Sequence, residues 1–125
     1  MSLCFTAQHR LKHGRDFDRV FRQGKRQAGR YVCLHIAKNT EDRLRIGLTV
    51  SKKVDKRAVR RNLIKRRLRE IFRNNMELFP AHHDIILRAL PGCAHAQYGE
   101  LKDEVLFLAE MAGLKKTPNP ADQIL

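Results

Sequence analysis

The residues of this chain best suited to chemistry are cations gathered between Ser51 and Asn74. Eleven Lys and Arg side chains stand there against two acids, Asp55 and Glu70. From Lys56 onward the stretch contains no Gly or Pro and predicts one long helix that ends near Asn74. Guanidinium and ammonium groups on a helix can neutralise phosphates, so the pattern indicates a polyanionic ligand, which we interpret as RNA.

The predicted helix has two distinct arcs when side chains are placed at about 100° per residue. One arc is cationic and polar, and its members are Asn62, Lys65, Arg66, Arg69 and Arg73. The other arc is apolar, and its members are Ile64, Leu68, Ile71 and Phe72. The apolar arc must pack against a core, which leaves the cationic arc facing outward.

Composition bounds the class of protein. The chain has 125 residues, 42% of them hydrophobic, which predicts one globular domain with a single core. A net charge of +13 and a pI near 10.4 favour nucleic acid over an anionic membrane surface as the partner. Three widely spaced cysteines without a CxxC pair disfavour a disulfide framework and a zinc site. With no apolar segment long enough for a bilayer and no signal sequence, we expect a cytoplasmic protein.

Motifs of protein-based catalysis are missing from the sequence. It contains no GxSxG, no glycine-rich phosphate loop and no cluster of carboxylates that would hold magnesium. We therefore predict no catalytic residue and no metal ligand on the protein itself.

The elements around the basic helix follow from periodicity. Asp16 is predicted to cap a short helix in which Phe17, Val20 and Phe21 share a face, and Gly24 ends it. The two phenylalanines either pack in the core or stack on bases. Residues 30–38 and 43–51 alternate as strands, which predicts an antiparallel hairpin.

Two further elements follow the basic helix. Residues 84–90 form a short apolar run that predicts a buried strand. Residues 97–112 have helical spacing, with Gly113 as the predicted C-cap. The acids of this last helix should face solvent, away from any nucleic acid; they are Glu100, Asp103, Glu104 and Glu110.

Two motifs together resemble a known family. The segment VSKKVDKRAVRRNLIKRRLREIFR resembles the signature of the protein subunit of bacterial ribonuclease P. Upstream, DFDRVFRQGKR resembles the first helix of that family, at the appropriate spacing. The resemblance spans about residues 9–113. We expect residues 1–113 to form one RNA-binding domain and residues 114–125 a flexible tail.

The resemblance implies a fold and a function. The fold would be α+β, a two-layer α/β sandwich with a four-stranded mixed sheet and three helices in the order α-β-β-β-α-β-α, including a left-handed βαβ crossover. The protein would be an accessory subunit of an endoribonuclease, pairing as a monomer with one catalytic RNA. That RNA, with Mg²⁺ held mainly by RNA and substrate, removes the single-stranded 5′ leader from precursor tRNA.

The resemblance also assigns residues to two surfaces. Residues implied to contact RNA are Arg57, Arg60, Arg61, Asn62, Lys65, Arg66, Arg69 and Arg73. Residues implied to form a cleft for the leader are Phe17, Phe21, His35, Lys52 and Lys53. Leu63 departs from the family, which usually has an arginine there. His35 stands where some relatives have an aromatic residue, and a histidine can titrate near neutral pH.

Two other functions are compatible with a basic helix. A structural RNA-binding protein of the ribosomal kind would share the fold and charge but lack a catalytic partner. A helix-turn-helix DNA-binding protein is disfavoured, because the basic helix lacks the short preceding helix and turn of that motif.

Overall fold

The computed structural model describes residues 9–41, 43–76, 79 and 81–112. The helices are α1 (Gly14–Gln23), α2 (Ala58–Asn74), α3 (Tyr98–Met111) and a 3₁₀ helix (Pro91–His95). The strands are β1 (Lys25–Ala28), β2 (Val32–Lys38), β3 (Arg45–Thr49) and β4 (His83–Ala89). The expected α+β class with three α-helices and a four-stranded mixed sheet is confirmed. Gly113 and the predicted tail, 114–125, lie outside the described residues.

The sheet has the order β1-β2-β4-β3, so the predicted hairpin between the second and third strands is wrong. Strand β4 lies between them, antiparallel to β2 and parallel to β3. The parallel pair requires a crossover connection, and α2 provides it. The left-handed sense of that crossover stays a prediction.

Strand β1 was not located by periodicity. Its four residues, KRQA, are mostly exposed and show no apolar alternation. They pair antiparallel with β2, from Lys25 opposite Ile36 to Ala28 opposite Cys33. The backbone ladder, which the side-chain pattern does not report, therefore defines this strand.

The main core lies between one face of the sheet and helices α2 and α3. The predicted apolar arc of α2 is confirmed, because Ile64, Leu68, Ile71 and Phe72 are all buried. From α3, Leu101, Val105 and Leu108 complete this layer. The packing holds α2 in place and turns its polar arc outward.

Helix α1 covers part of the opposite face of the sheet, here called the α1 face. Val20 packs there against Leu11 and Ile86 in a second, smaller core. The helix begins at Gly14 with His13 as its N-cap, so the predicted cap at Asp16 is wrong. Asp16 instead lies in the first turn, where a negative charge interacts favourably with the helix dipole.

A buried carboxylate, Asp84, ties three elements together on the α1 face. Its side chain is fully buried at the start of β4 and accepts two hydrogen bonds of 2.8 Å from Arg45 of β3. It also accepts a hydrogen bond from Arg19 of α1 and one of 2.7 Å from Asn39. Burial raises the pKa of Asp84, but these hydrogen bonds and charges outweigh it and lower the pKa overall.

Glu104 of α3 does not face solvent as predicted. Its carboxylate accepts hydrogen bonds from the backbone N–H groups of Arg30, Tyr31 and Val32, at 2.7, 2.6 and 2.7 Å. Arg30 and Tyr31 lie in the turn between β1 and β2, and Val32 begins β2, so Glu104 fixes the end of that turn against α3. Helix α3 itself begins with a capping box between Gln97 and Glu100.

Candidate nucleic-acid interface

A groove of about 150 Å³ opens where α1, β3 and α2 meet. Phe17 of α1 lines this groove together with Lys65 and Arg69 of α2. The remaining lining residues come from β3 and from the segment before α1: Arg10, Leu11, Ile46, Gly47 and Leu48. An aromatic ring and two cations thus line the same concavity.

The floor of this groove depends on Gly47. A Cβ atom added at Gly47 would lie 2.6 Å from both Cε2 and Cζ of Phe17. The ring therefore rests directly on the backbone of β3. The segment before α1 is fixed in the same place, because the Leu11 N–H donates a 2.8 Å hydrogen bond to the Ile46 carbonyl.

Gly47→Ala is expected to lower the free energy of unfolding by about 1–3 kcal/mol, the usual cost of overpacking. The added methyl group must displace the Phe17 ring from the groove. Thermal unfolding measures the first effect, and the NMR shifts of the Phe17 ring measure the second. Gly14→Ala is the matched control, because a Cβ there meets nothing within 4 Å. Equal melting temperatures for the two variants would contradict the contact.

Phe21 lies one helical turn after Phe17 on α1, and its ring contacts His35 of β2. Their ring centroids are 4.7 Å apart in an edge-to-face arrangement. Phe21 is 39% exposed, but His35 is only 6% exposed. Of the two rings, Phe21 therefore offers the surface for stacking, and His35 supports it from below.

His35 does not titrate near neutral pH. Burial, together with the charges of Arg88 and Arg26, lowers the pKa of His35 to about 4. Its ring is therefore neutral at physiological pH. In that state it accepts a 3.3 Å hydrogen bond from Nε of Arg88.

The low pKa of His35 predicts a loss of stability on acidification. The unfolded chain takes up this proton near pH 6.5, but the folded protein takes it up only near pH 4. The free energy of unfolding should therefore fall as the pH drops through this window. Melting temperatures of the unmutated protein and His35→Gln should converge across it. An NMR titration of the His35 ring with a midpoint near 6.5 would contradict the assignment.

The cations at the start of α2 form ion pairs and hydrogen bonds within the protein. Arg57 donates two side-chain hydrogen bonds of 3.1 Å to Asp55, and Arg60 lies 3.8 Å from the same carboxylate. Hydrogen bonds from the Arg57 side chain and backbone lower the pKa of Asp55 to about 2. Arg61 donates to the backbone carbonyls of Asp55 and Lys56, at 3.1 and 2.8 Å. These interactions hold the chain in place at the N-terminal end of α2.

Further along α2 the predicted polar arc separates into two stripes. Lys65 and Arg69, one turn apart, line the groove. Asn62, Arg66 and Arg73 are exposed on the outer side. Among the described acids, Glu70 pairs with Arg73 at 2.7 Å, and none pairs with Lys65, Arg66 or Arg69.

The remaining predicted positions lie nearby. Lys52 and Lys53 are exposed in the turn that joins β3 to α2. Leu63 is half-buried, between the outer stripe and the core. Within the described part of the chain, no group of three His, Cys, Asp or Glu side chains could hold a metal ion. No helix in that part is long and apolar enough to cross a bilayer.

Sequence reasoning missed Gly47 and Leu11 as parts of the groove. A signal for Gly47 was present, because an isolated glycine inside an alternating strand indicates a close approach of another group. Leu11 carries no comparable signal, since its burial depends on a β-bridge between Arg10 and Ile46, two residues that are far apart in the sequence.

Comparison with known proteins identifies the family. The family model described as Ribonuclease P matches residues 5–113. The chain belongs to the ribonuclease P protein family. The match covers α1 with its phenylalanines, the whole sheet, and both α2 and α3.

Individual relatives agree. The ribonuclease P protein component of Bacillus cereus is 33% identical over 117 residues, which cover 93% of this chain and 98% of the relative. That of Acidothermus cellulolyticus is 39% identical over 100 residues, covering 78% and 82%.

Solved structures of ribonuclease P proteins share the fold. The protein from Staphylococcus aureus superposes with a TM-score of 0.79 at 28% identity, covering 86% of this chain and 98% of the other. The protein from Thermotoga maritima gives a TM-score of 0.72 at 32% identity, covering 79% and 93%.

Family membership establishes the function in outline. The chain is an RNA-binding protein component of bacterial ribonuclease P, a partner of the ribonuclease P RNA in the processing of tRNA 5′ ends. The alternative of a structural ribosomal RNA-binding protein finds no support among these relatives.

Proposed function

We propose that this chain helps the catalytic RNA of ribonuclease P to remove the 5′ leader of precursor tRNA by binding that RNA and the single-stranded leader at once. The observation that carries the proposal is the groove that Phe17, Lys65 and Arg69 line together. A stacking surface beside two cations suits a single strand, whose bases and phosphates both need a contact.

We assign the two stripes of α2 to two different RNA partners. Lys65 and Arg69 face into the groove and are assigned to leader phosphates. Arg66 and Asn62 face outward and are assigned to the catalytic RNA, with Arg73 at the end of the same stripe. Arg57, Arg60 and Arg61 add positive charge where α2 begins, and Lys52 and Lys53 add it at the preceding turn.

Phe17 and Phe21 extend the leader path along α1. They lie one turn apart on the same helix face, and Phe21 presents an exposed ring. Base stacking on an aromatic ring contributes about 1–3 kcal/mol per base. His35 takes part as the support of Phe21, because its own ring is almost fully covered.

The reaction itself is assigned to RNA and Mg²⁺. The groove is lined by cations and apolar groups, a donor set that does not fit a magnesium ion, which prefers oxygen ligands. The protein therefore contributes binding and orientation. We assign it to the bacterial cytoplasm, as a monomer in a complex with one catalytic RNA.

The test compares two substrates in the reconstituted holoenzyme. A precursor tRNA with its leader should bind more tightly than the same RNA without one, and the protein should increase cleavage at low magnesium. Phe21→Ala should reduce the preference for the leader by roughly tenfold, the equivalent of about 1–3 kcal/mol for one stacked base. Its melting temperature controls for loss of packing.

Equal affinity for the two substrates in the unmutated holoenzyme would refute the leader assignment. Unchanged cleavage on addition of the protein would refute its role as an assisting subunit.

A further inference from the structure

Asp55 is one of only two acids in the basic segment from Ser51 to Asn74, and its carboxylate is largely covered. Its side chain is 8% exposed, although the arginines beside it reach solvent. The preceding residue, Val54, is buried in the main core, and its N–H donates a 3.0 Å hydrogen bond to the Ser51 carbonyl. The backbone that carries Asp55 is therefore fixed before α2 begins.

Asp55 holds Arg57 through both the backbone and the side chain of that arginine. Its Oδ1 accepts a 2.9 Å hydrogen bond from the Arg57 backbone N–H, which makes an Asx turn. The carboxylate also accepts hydrogen bonds of 3.1 Å from Nε and Nη2 of Arg57, on Oδ1 and Oδ2 respectively. This bidentate geometry fixes the plane of the guanidinium.

The ion pair leaves the outer edge of the Arg57 guanidinium available. A guanidinium has one bidentate edge at Nε and Nη2 and another at Nη1 and Nη2. Asp55 occupies the first edge, and the Arg57 side chain is 72% exposed, so the second edge is open to solvent. A fork that is already oriented loses less conformational entropy when it binds a phosphate.

Charge alone predicts a different role for Asp55. A negative charge repels RNA phosphates, so its removal should strengthen RNA binding if repulsion is its main effect. If the main effect is orientation of Arg57, the same removal should weaken binding. The two effects have opposite signs, so variants of Asp55 distinguish them.

We propose that Asp55 is a positioning residue for RNA binding, which holds the guanidinium of Arg57 with its outer edge towards a phosphate of the catalytic RNA. The inference rests on the proposed function, in which Arg57 adds to RNA binding at the start of α2. It extends that function by giving an acid a supporting role on a cationic surface.

Assembly of the full-length protein with the catalytic RNA, measured by filter binding at several salt concentrations, tests the proposal. Arg57→Gln should weaken assembly by roughly tenfold and reduce the salt slope by about 1, because one phosphate contact is lost. Asp55→Ala and Asp55→Asn should each weaken assembly by about threefold, because the guanidinium is present but no longer oriented. The amide oxygen of Asp55→Asn can still accept from the Arg57 backbone N–H, so this variant keeps the turn.

A double-mutant cycle shows whether Asp55 acts through Arg57. In the Arg57→Gln background, Asp55→Asn should no longer weaken assembly, because the guanidinium that it orients is absent. Equal weakening by Asp55→Asn in both backgrounds would show that Asp55 acts on the helix start in general, and would overturn the proposal. Melting temperatures show that the variants are folded.

Glu70→Gln is the matched control, because it removes the other acid of the segment. Glu70 is 44% exposed and contacts Arg73 through one hydrogen bond of 2.7 Å, so its loss frees a cation without breaking a bidentate contact. This variant should therefore assemble as well as the unmutated protein or slightly better. The same result for Asp55→Asn would overturn the proposal, since the carboxylate would then only compete with RNA.

The unmutated protein tests the proposed function separately. If it neither binds the catalytic RNA nor increases cleavage, the proposed function fails and the role of Asp55 fails with it. If it does both and the Asp55 variants assemble equally well, only the role of Asp55 fails.

Discussion

Asp84→Ala is expected to lower the free energy of unfolding by about 3 kcal/mol, towards the lower end of the range for breaking a buried ion pair. The carboxylate is fully buried, and its loss removes the counter-ion of Arg19 and leaves Arg45 only the more distant Asp16, at 3.8 Å. Their side chains are 28% and 16% exposed, so water can solvate the released charges in part. For a domain of this size the melting temperature should fall by at least about 10 °C.

Glu70→Ala provides the control for this variant. Glu70 forms a 2.7 Å ion pair with Arg73, but both side chains are about half exposed. Such surface pairs contribute at most about 1 kcal/mol. A melting temperature for Asp84→Ala close to that of Glu70→Ala would show that the buried cluster is not a major source of stability.

The same carboxylate predicts a second acid transition. The folded pKa of Asp84 is below its ordinary value of 3.8, so its stabilisation is complete above that pH and is lost as the pH falls through the folded pKa. This window lies below that of His35, which ends near pH 4. Asp84→Asn should weaken the lower transition, to which Asp55 also contributes, and leave the upper one.

Arg66→Ala is expected to weaken assembly with the catalytic RNA by roughly tenfold or more, the value of one charge-assisted hydrogen bond. It should also reduce the salt slope of assembly by about 1. Arg69→Ala, three residues away but inside the groove, should instead reduce the preference for leader-bearing substrate. The two effects separate because the side chains lie on different stripes of α2.

Arg73→Ala is the matched control on the same helix. Because Glu70 already neutralises Arg73, its loss should cost assembly less than the loss of Arg66. Filter-binding titrations of the three variants against the catalytic RNA, at several salt concentrations, measure both affinity and slope. Equal losses for Arg66→Ala and Arg73→Ala would contradict the outer stripe as the assembly surface.

Local sequence patterns predicted the individual helices and strands of this fold better than they predicted which strands pair with each other. The end of α2 and its buried arc followed from helical spacing, because one helix face must be apolar to pack. The hairpin between the second and third strands was wrong because alternation shows which side of a strand is buried and does not show which strand lies beside it. The sequences of β2 and β3 do not show that a later strand, β4, is inserted between them.

The site was predictable to a similar extent. Charge clustering located Lys65, Arg66 and Arg69, and the family motif located Phe17. The role of Asp84 could not be predicted, since its partners Arg19 and Arg45 are 65 and 39 residues away in sequence. Nor could the low pKa of His35, which depends on burial beneath Phe21 and on two arginines from other strands.

The central position of β4 has a consequence for synthesis on the ribosome. The β1–β2 ladder can form early, but the β2–β4 and β3–β4 ladders cannot form until β4, which begins at His83, has been synthesised. Non-local strand pairing of this kind is slow, because the intervening chain must be closed first. Until that point the nascent chain exposes a cationic helix without its supporting sheet. A chain truncated before Ala89 should therefore be an unfolded polycation that binds other molecules nonspecifically. It should not be a shorter functional subunit.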